Sequence, residues 1–385
     1  MRPFAALIAL LLAEAAAASP VKRASLYTRE GREALEGKYI VMMKNSDSDD
    51  PTRILNTAVE SIAADPDIVY KKLGGFAASL TKEEIEDLRN NPNVAYIQQD
   101  SRVKIFATQQ NAPWGLARLS NKSPGSMTYT YDDSAGDGVC AYVIDTGIEI
   151  NHAEFEGRAE FVATFIDDVT TDDHGHGTHC AGTIASKTYG VAKKASLYAI
   201  KAFDQYGFGA ESLMIASMDK VLEDAPNRRC PKGVVINMSF GSLPSQALNS
   251  AARALVDAGY FAVAAAGNSA QDASTGSPAS EPSICTIAAS SINDTAASFS
   301  NYGSLVDLYA PGVDILSTWI GGRTNTISGT SMASPHAVGL GAYFLGLGRS
   351  ASGLCEYLQS IALEGVLDDV PRGTKNLLVQ NDQST

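Results

Sequence analysis

The chain has 385 residues, a formal net charge of −13 at pH 7 and 45% hydrophobic residues. Its length is sufficient for a sizeable core and for two folded units, since domains commonly hold about 100–200 residues. The acidic balance argues against a nucleic-acid partner, because no basic cluster is present to displace counterions from phosphates.

The first residues predict a secretory signal peptide over 1–18. Arg2 precedes an apolar stretch at 4–13, and small residues follow near 15–19. This order of charge, apolar run and small residues is typical of such signals. The apolar stretch is too short to span a membrane, and no later stretch is long and apolar enough to anchor the chain. We therefore expect a secreted, extracellular monomer without a membrane anchor.

Residues 19–106 differ in composition from the longer segment after them, because they contain no cysteine and no histidine. Strand patterns lie at 38–44, 74–80 and 94–106. Two helical patterns lie between them, and the second begins with a capping box made by Thr81 and Glu84 and ends at Pro92. The segment predicts a small α+β unit.

From residue 107 onward, short apolar segments alternate with helical patterns rich in small residues. Strands are expected at 139–145, 196–203, 233–240, 260–267 and 285–290. Helices are expected at about 176–187, 211–224, 245–258 and 332–347. This alternation is typical of an α/β protein whose parallel sheet is covered by helices on both faces. Sites in such sheets lie at the carboxyl ends of strands, which directs attention to Asp145 and Asn268.

The cysteines all lie after residue 139, at Cys140, Cys180, Cys230, Cys285 and Cys355. An oxidising compartment favours pairing four of them and leaves one thiol over. Their spacing allows several pairings and does not choose among them.

Ser331, in the run ISGTSMASPHAVGLGAYF, offers a nucleophilic hydroxyl where a helix is expected to begin. A serine hydroxyl becomes reactive only with a base to take its proton and donors for the oxyanion. The candidate bases are the five histidines, His152, His174, His176, His179 and His336. His176 is favoured because the glycines on either side of it let backbone and substrate approach closely. We expect His179, one turn further into the helix, to be structural.

Asp145 supplies the third group, since a carboxylate at a strand end can hold the imidazole in one tautomer and stabilise the imidazolium. The order Asp145, His176, Ser331 is one of three chain orders known for this constellation. The runs YVIDTGIE, GHGTHCAGT and SGTSMASPH resemble the signature segments of the subtilisin-like serine proteases. NAPWGLARLS, PKGVV, SPASEPSICT and LSTWIGG extend the resemblance to the proteinase K subfamily over 107–380.

Other chemistries fit these motifs less well. The Asp145-Thr146-Gly147 triplet also resembles an aspartic-protease loop, but no second such triplet follows. The histidines beside Cys180 contain zinc-ligand types but no HExxH pattern. A secreted esterase remains an alternative, although the serine run lacks the GxSxG elbow of α/β-hydrolases. A catalytically silent binding protein would require a broken triad, and none is visible.

The resemblance implies the remaining parts of a protease site. The Asn268 amide and the Ser331 backbone N–H would form the oxyanion hole. An extended peptide would pair with backbone strands of the cleft. The primary pocket would be lined by Ser239, Phe240, Gly241, Ala265, Ala266 and Gly267, and the opposite rail would be formed by Tyr206, Gly207, Phe208 and Gly209. These segments carry no charge, which favours broad specificity with an apolar or aromatic residue before the scissile bond. Whether the bulky Phe208 narrows a more distant subsite is left open.

The resemblance also implies how the chain is organised. Residues 107–385 would form a subtilisin-like catalytic domain, and about 35–105 a ferredoxin-like propeptide that assists folding and then acts as an intramolecular inhibitor. Self-cleavage is expected between Phe106 and Ala107, because Phe106 suits an apolar pocket. The subfamily implies a fungal extracellular enzyme acting on protein substrates.

Disulfides and calcium are further implications of the resemblance. The implied pairs are Cys140–Cys230 and Cys285–Cys355, which leave Cys180 as a free thiol. One structural calcium would be held by the carbonyls of Pro282 and Ile284 and by the Asp307 carboxylate, oxygen ligands that suit a hard cation. A second, weaker calcium site is expected to be missing.

Sequons occur at Asn121, Asn237 and Asn293. Asn237 lies in an expected buried strand, which argues against glycosylation there. Asn121 and Asn293 lie in loop-like segments and are the candidate N-glycosylation sites.

Overall fold

The computed structural model describes residues 23–28, 34–44, 51–101 and 106–383, with Phe106 described by its backbone alone. The signal segment expected at 1–18 lies outside these residues. The chain divides into two compact units, residues 1–104 and 105–385. Each unit has a sheet of its own and is described by itself.

The first unit is a small α+β domain. Its strands are β1 (Ser25–Tyr27), β2 (Ala34–Met43), β3 (Ile68–Tyr70), β4 (Gly75–Ser79) and β5 (Val94–Ser101), and its helices are α1 (Pro51–Glu60) and α2 (Lys82–Asn90). The strand order is β1-β5-β2-β4-β3, with β2 antiparallel to β4 and β5. From β2 to β5 the chain follows the βαββαβ path of a ferredoxin-like fold, as expected, and β1 adds a parallel edge strand.

Helix α2 begins where the capping box is predicted. The Thr81 hydroxyl accepts from the Glu84 backbone N–H at 3.2 Å, and the Glu84 carboxylate accepts from the Thr81 N–H at 2.8 Å. Ile85 and Leu88 face inward from this helix and are buried with Phe76 of the sheet. The cap and the apolar face therefore agree on where the helix starts and which side it buries.

The second unit is an α/β domain. Its strands are β6 (Phe106–Gln109), β7 (Tyr129–Asp132), β8 (Val139–Asp145), β9 (Ala159–Thr164), β10 (Ser196–Lys201), β11 (Gly233–Met238), β12 (Phe261–Ala265), β13 (Cys285–Ser290), β14 (Leu308–Pro311), β15 (Ile315–Trp319), β16 (Arg323–Ile327), β17 (Leu363–Glu364) and β18 (Leu377–Leu378). Its helices are α3 (Trp114–Leu119), α4 (His176–Ala185), α5 (Glu211–Asp224), α6 (Gln246–Asp257), α7 (Thr330–Gly346) and α8 (Leu354–Ile361).

The main sheet has the order β17-β18-β14-β13-β12-β11-β8-β10-β9 and is parallel except for the β17–β18 pair. Every residue of β8 is buried, and its side chains alternate between two cores. Ala141 and Val143 pack in the core that contains residues of α4 and α7, whereas Tyr142 and Ile144 pack in the core of α5 and α6. The expected parallel sheet with helices on both faces is confirmed.

Strand β8 lies where the order of the strands in the sheet reverses. Its neighbours in the sheet are β10 on one side and β11 on the other. Later strands are thus added to the sheet on both sides of β8, and the segments that connect them leave the carboxyl edge in opposite directions. Such a switch point creates a crevice in open α/β sheets, and Asp145 is the last residue of β8.

Disulfides cross-link only the second unit among the described residues. Cys140 is bonded to Cys230, and Cys285 to Cys355. These are the pairs that the resemblance implies, and Cys180 is a buried free thiol. Within the described parts of the chain, no helix has the length and apolar character needed to cross a membrane.

Candidate active site

Asp145 and His176 meet at the carboxyl end of β8. His176 is the first residue of α4, and its Nδ1 lies 2.7 Å from Asp145 Oδ1. That oxygen also accepts the Thr146 N–H at 2.7 Å. The other oxygen, Asp145 Oδ2, is buried and has no hydrogen-bond partner among the described residues. A buried carboxylate held this way orients the imidazole and favours its protonated form.

The charge state of His176 follows from two opposed effects. Burial lowers the pKa of His176, but the Asp145 carboxylate raises it, and the net result is a pKa well above the ordinary 6.5. Cys180 Sγ lies 3.9 Å from His176 Nδ1, and burial raises the pKa of this thiol, which keeps it uncharged. Asp145 is therefore the charge that sets the basicity of His176.

The other histidines have structural hydrogen bonds. His179 Nε2 contacts the Ile315 carbonyl at 2.9 Å, and His336 Nδ1 contacts the Met332 carbonyl at 2.8 Å. Burial lowers the pKa of each to about 4. His152 contacts the Arg323 carbonyl at 3.0 Å. His174 lies closer to the site, since its Nδ1 accepts the His176 N–H at 3.3 Å.

Ser331 lies in the first turn of α7, where backbone N–H groups have no partner within the helix. Its hydroxyl donates to the Ser239 carbonyl at 3.0 Å. In turn the Ser239 hydroxyl donates to the Ser331 carbonyl at 2.8 Å. Among the described hydrogen bonds, none joins Ser331 to His176. Contacts between nucleophile and base are often loose in a free enzyme and tighten with substrate.

Asn268 is oriented by the residue that precedes Ser331. Its Oδ1 accepts both the backbone N–H of Thr330, at 2.8 Å, and the Thr330 hydroxyl, at 2.9 Å. The amide nitrogen therefore points the other way. A side chain at Gly329 would begin 3.6 Å from both Asn268 Nδ2 and Ser331 N. The two donors thus border one small space, which the absence of a side chain at Gly329 leaves open.

A cavity of about 370 Å³ beside His176 is lined by half of the expected substrate-binding residues. The expected residues that line it are Tyr206, Gly207, Ser239, Phe240 and Gly241. A larger cavity of about 570 Å³ beside Trp114 and Met127 is lined by no histidine or carboxylate among the described residues. Size alone therefore does not identify the site.

The remaining rail residues are placed differently. Phe208 is 73% exposed and does not line the cavity. Gly209 is packed so closely that a Cβ would lie 2.3 Å from the Ala202 carbonyl. Ala265 and Ala266 are buried at the end of β12, and the Gly267 N–H donates to the Thr330 hydroxyl at 3.1 Å. The effect of Phe208 on a more distant subsite stays a question for substrate profiling.

The residues expected to hold calcium lie together. Pro282, Ile284 and Asp307 line one cavity of about 250 Å³, and two carbonyls with a carboxylate are oxygen donors that fit calcium. Lys375 Nζ, however, lies 3.0 Å from Asp307 Oδ1 and 2.9 Å from Gln359 Oε1. Burial raises the pKa of Asp307. Calcium bound at Asp307 Oδ1 would have to displace the Lys375 ammonium, whereas Asp307 Oδ2 accepts the Thr286 N–H at 3.1 Å.

The expected processing and glycosylation positions have distinct surroundings. Phe106 and Ala107 begin β6, and Ala107 pairs with Tyr131 of β7. The Asn121 amide donates to the Ala117 and Thr128 carbonyls at 2.6 and 2.8 Å. Asn293 is exposed. Attachment of a glycan would therefore disrupt contacts at Asn121 but not those of an exposed Asn293 side chain.

Several residues around the site are not predicted from the sequence. Thr330 orients Asn268, and Asp172 accepts hydrogen bonds from Thr146 and the start of α4. Lys201 is fully buried, and its ammonium donates to the Thr146 carbonyl at 2.7 Å and to Asp173 at 2.6 Å. Thr330 lies within the run SGTSMASPH and Asp172 lies three residues before the run GHGTHCAGT, but nothing in the sequence shows which groups their side chains contact.

Comparison with known proteins adds independent findings. Residues 136–352 match the profile of the Subtilase family, and residues 38–106 match that of Peptidase inhibitor I9. The chain is 50% identical to a cuticle-degrading protease of Metarhizium anisopliae over 386 residues, which covers 98% of each chain. It is 52% identical to proteinase R of Parengyodontium album over 352 residues, 91% of this chain and 90% of that one.

A solved structure agrees with these relatives. A cold-adapted subtilisin-like serine proteinase matches with a TM-score of 0.67 and 40% identity, covering 71% of this chain and 99% of that chain. The chain belongs to the subtilase family. It is a serine protease of the subtilisin type, related to the fungal proteinase K group, with an inhibitor-type domain ahead of the protease domain.

Proposed function

We propose that the chain is a secreted serine endopeptidase with broad specificity, in which Asp145, His176 and Ser331 form the catalytic triad. The 2.7 Å contact between His176 Nδ1 and Asp145 Oδ1 carries the proposal. It joins a strand end to a helix start at the switch point of the sheet. An orienting carboxylate is what a histidine base requires there.

Catalysis begins when the Ser331 hydroxyl rotates from the Ser239 carbonyl toward His176 Nε2. His176 takes its proton as Ser331 Oγ attacks the peptide carbonyl, and Asp145 stabilises the imidazolium without itself taking the proton. The carbonyl oxygen becomes an oxyanion that accepts from the Ser331 N–H and from Asn268 Nδ2. His176 then protonates the leaving amine, and water hydrolyses the acyl-enzyme by the same steps.

Substrate preference follows from the cleft. An extended peptide pairs with backbone rails at 207–209, 239–241 and 265–267. Phe203 and Phe240, whose ring centroids are 5.4 Å apart, give the cleft an apolar wall. We expect an apolar or aromatic side chain before the scissile bond, with wide tolerance elsewhere.

Maturation is part of the proposal. Residues 1–18 would be removed as a signal, and residues 19–106 would be released by self-cleavage between Phe106 and Ala107 to leave the 107–385 enzyme. Before release the propeptide acts as an intramolecular inhibitor. The I9 profile match over residues 38–106 supports this arrangement.

One structural calcium and one N-glycan complete the proposal. Pro282, Ile284 and Asp307 supply oxygen ligands in a common cavity, and a bound calcium would stabilise the fold without taking part in the reaction. Asn293 is exposed in a sequon and is the better glycan acceptor. Asn121 has its amide engaged in hydrogen bonds with backbone carbonyls.

The test is covalent labelling of the nucleophile. The secreted protein is treated with a serine-directed phosphonylating reagent after release of the propeptide, and the labelled peptide is identified by mass spectrometry. We expect one label per molecule on Ser331 and parallel loss of activity. A Ser331→Ala protein whose propeptide has been removed with an unrelated protease is the control. Labelling of another residue, or activity that survives complete labelling of Ser331, would overturn the assignment.

A further inference from the structure

Asp172 is a buried carboxylate beside the active site that the catalytic mechanism leaves unused. It lies between β9 and α4 and is 5% exposed. Its Oδ1 accepts from the Thr146 hydroxyl at 2.8 Å and from the N–H groups of His174 and Gly175 at 3.0 and 2.8 Å. Its Oδ2 accepts from the N–H and the hydroxyl of Thr178 at 2.9 and 2.6 Å.

These bonds connect the two elements that carry Asp145 and His176. Thr146 directly follows Asp145, and its hydroxyl accepts the Gly177 N–H at 3.0 Å while donating to Asp172. Asp172 also holds residues before and after His176. The distance between the carboxylate and the imidazole is therefore fixed through Asp172 and the Thr146 hydroxyl, in addition to their own contact.

The Asp172 carboxylate also lies at the start of α4, where it accepts the Gly175 and Thr178 N–H groups. His176 is the first residue of α4, and the positive end of the helix dipole there disfavours an imidazolium. Asp172 places a carboxylate against the N–H groups at that end and so offsets the helix dipole. The nearby ionisable groups are Asp145 on β8, Cys180 and His179 on α4, His174 in the preceding loop, and the Lys201–Asp173 pair, which is neutral as a unit.

We propose that Asp172 is a positioning residue for the Asp145–His176 pair, which fixes its geometry and supports the basicity of His176. The inference rests on the proposed triad. It differs from a helix cap alone, because a cap would contribute to stability without affecting the protonation of His176. Removing a negative charge near a base makes its protonated form less stable, so an Asp172→Asn change lowers the pKa of His176.

The decisive experiment observes His176 directly. The full chain is prepared with Ser331→Ala, which prevents self-cleavage, and with isotope-labelled histidine. The titration of His176 is followed by NMR, its signal being assigned by its loss in a His176→Gln sample. Asp172→Asn should lower the titration midpoint by about 0.2–0.7 pH unit, the range expected for one charge at a helix end. Thr178→Ala is the matched control, since it removes a hydrogen bond to Asp172 but keeps the carboxylate, and its midpoint should stay in place.

Activity gives a second readout in chains that retain Ser331. Asp172→Asn should lower kcat by about 10- to 100-fold with little change in KM, as expected when a catalytic pair is displaced. If the Asn variant does not fold, Thr146→Val should give the same kcat loss and Thr146→Ser should restore it.

An unchanged His176 midpoint in folded Asp172→Asn protein, an equal shift in Thr178→Ala, or wild-type kcat in Thr146→Val would overturn the role of Asp172. None of these results bears on the labelling of Ser331, so the proposed function is tested separately.

Discussion

Asp145 and Asp307 are carboxylates that are largely buried, and each contacts a basic side chain. Their surroundings differ, and so do the roles that we propose for them. Asp145 faces His176, a base whose charge changes in the physiological range. Asp307 faces the Lys375 ammonium at 3.0 Å, and no nucleophile of the proposed triad lies beside this pair. The comparison shows that burial of an acid beside a base defines a catalytic pair only where the base can release its proton and a nucleophile is near.

The largest effect should come from breaking the pair that contains the titratable base. Ser331→Ala or His176→Ala should lower kcat by about 10⁶-fold, as triad loss does in subtilisin. Because neither variant can process itself, its propeptide is first removed with an unrelated protease, which is then inactivated, and peptide hydrolysis is the measurement. Lys375→Ala is the matched change at the other carboxylate and should leave kcat close to that of the wild type. Loss of most activity in the lysine variant would contradict the division of tasks.

The oxyanion donor should have the next largest effect. Asn268→Ala removes the side-chain donor but leaves the Ser331 N–H, and kcat should fall by about 100- to 1,000-fold while KM changes little. Steady-state kinetics on a peptide substrate measures this split. Asn249→Ala, at a side chain bonded to Ser280 outside the site, is the control. An equal effect on kcat and KM would argue that Asn268 binds substrate in the ground state.

The pH dependence of activity tests whether Asp145 controls the protonation of His176. Asp145 raises the pKa of His176 above 6.5, and only the neutral imidazole can accept the Ser331 proton. Activity should therefore rise with pH. The midpoint of the acid limb should lie above pH 6.5, and kcat/KM should fall about tenfold for each pH unit below that midpoint. The profile of kcat/KM measures the limb. A limb well below pH 6.5 would mean that Asp145 does not control His176.

Removal of calcium by a chelator should have the smallest effect, a decrease in Tm, and it tests whether Asp307 binds calcium. If calcium binds, a chelator should lower Tm, and it should do so more in Lys375→Ala, where no ammonium competes for the carboxylate. A difference of about 1 kcal/mol corresponds to roughly 2–4 °C for a domain of this size class. Lys232→Ala, at an exposed position, is the control. No Tm change on chelation in either protein would rule out the calcium site.

Much of the architecture could be predicted from the sequence, because the pattern and the fold agree locally. The limits of β8 and α5 match the expected 139–145 and 211–224. Strand β14 was missed because it is four residues long and ends in proline, and the β15–β16 hairpin because its burial pattern is mixed. Short segments carry too little periodicity to reveal themselves.

The residues of the candidate site also fall into a group that the sequence predicts and a group that it does not. Motif order and resemblance predicted Asp145, His176, Ser331 and Asn268, since these residues stand in recognisable runs. The contacts of Thr330, Asp172 and Lys375 could not be predicted, because they depend on which loops the tertiary structure brings together. A polar loop residue looks the same in sequence whether it faces solvent or a buried partner.

Both disulfides lie in the second unit and close loops with sequence separations of 90 and 70 residues. Cross-links of that span stabilise a fold by about 4 kcal/mol each in chain-entropy terms, whereas the first unit contains no cysteine and depends on a small core. The two units therefore differ in what stabilises them. Under the proposed maturation, the cross-linked unit should outlast the first unit, which should open more readily and become a substrate of the protease that it preceded.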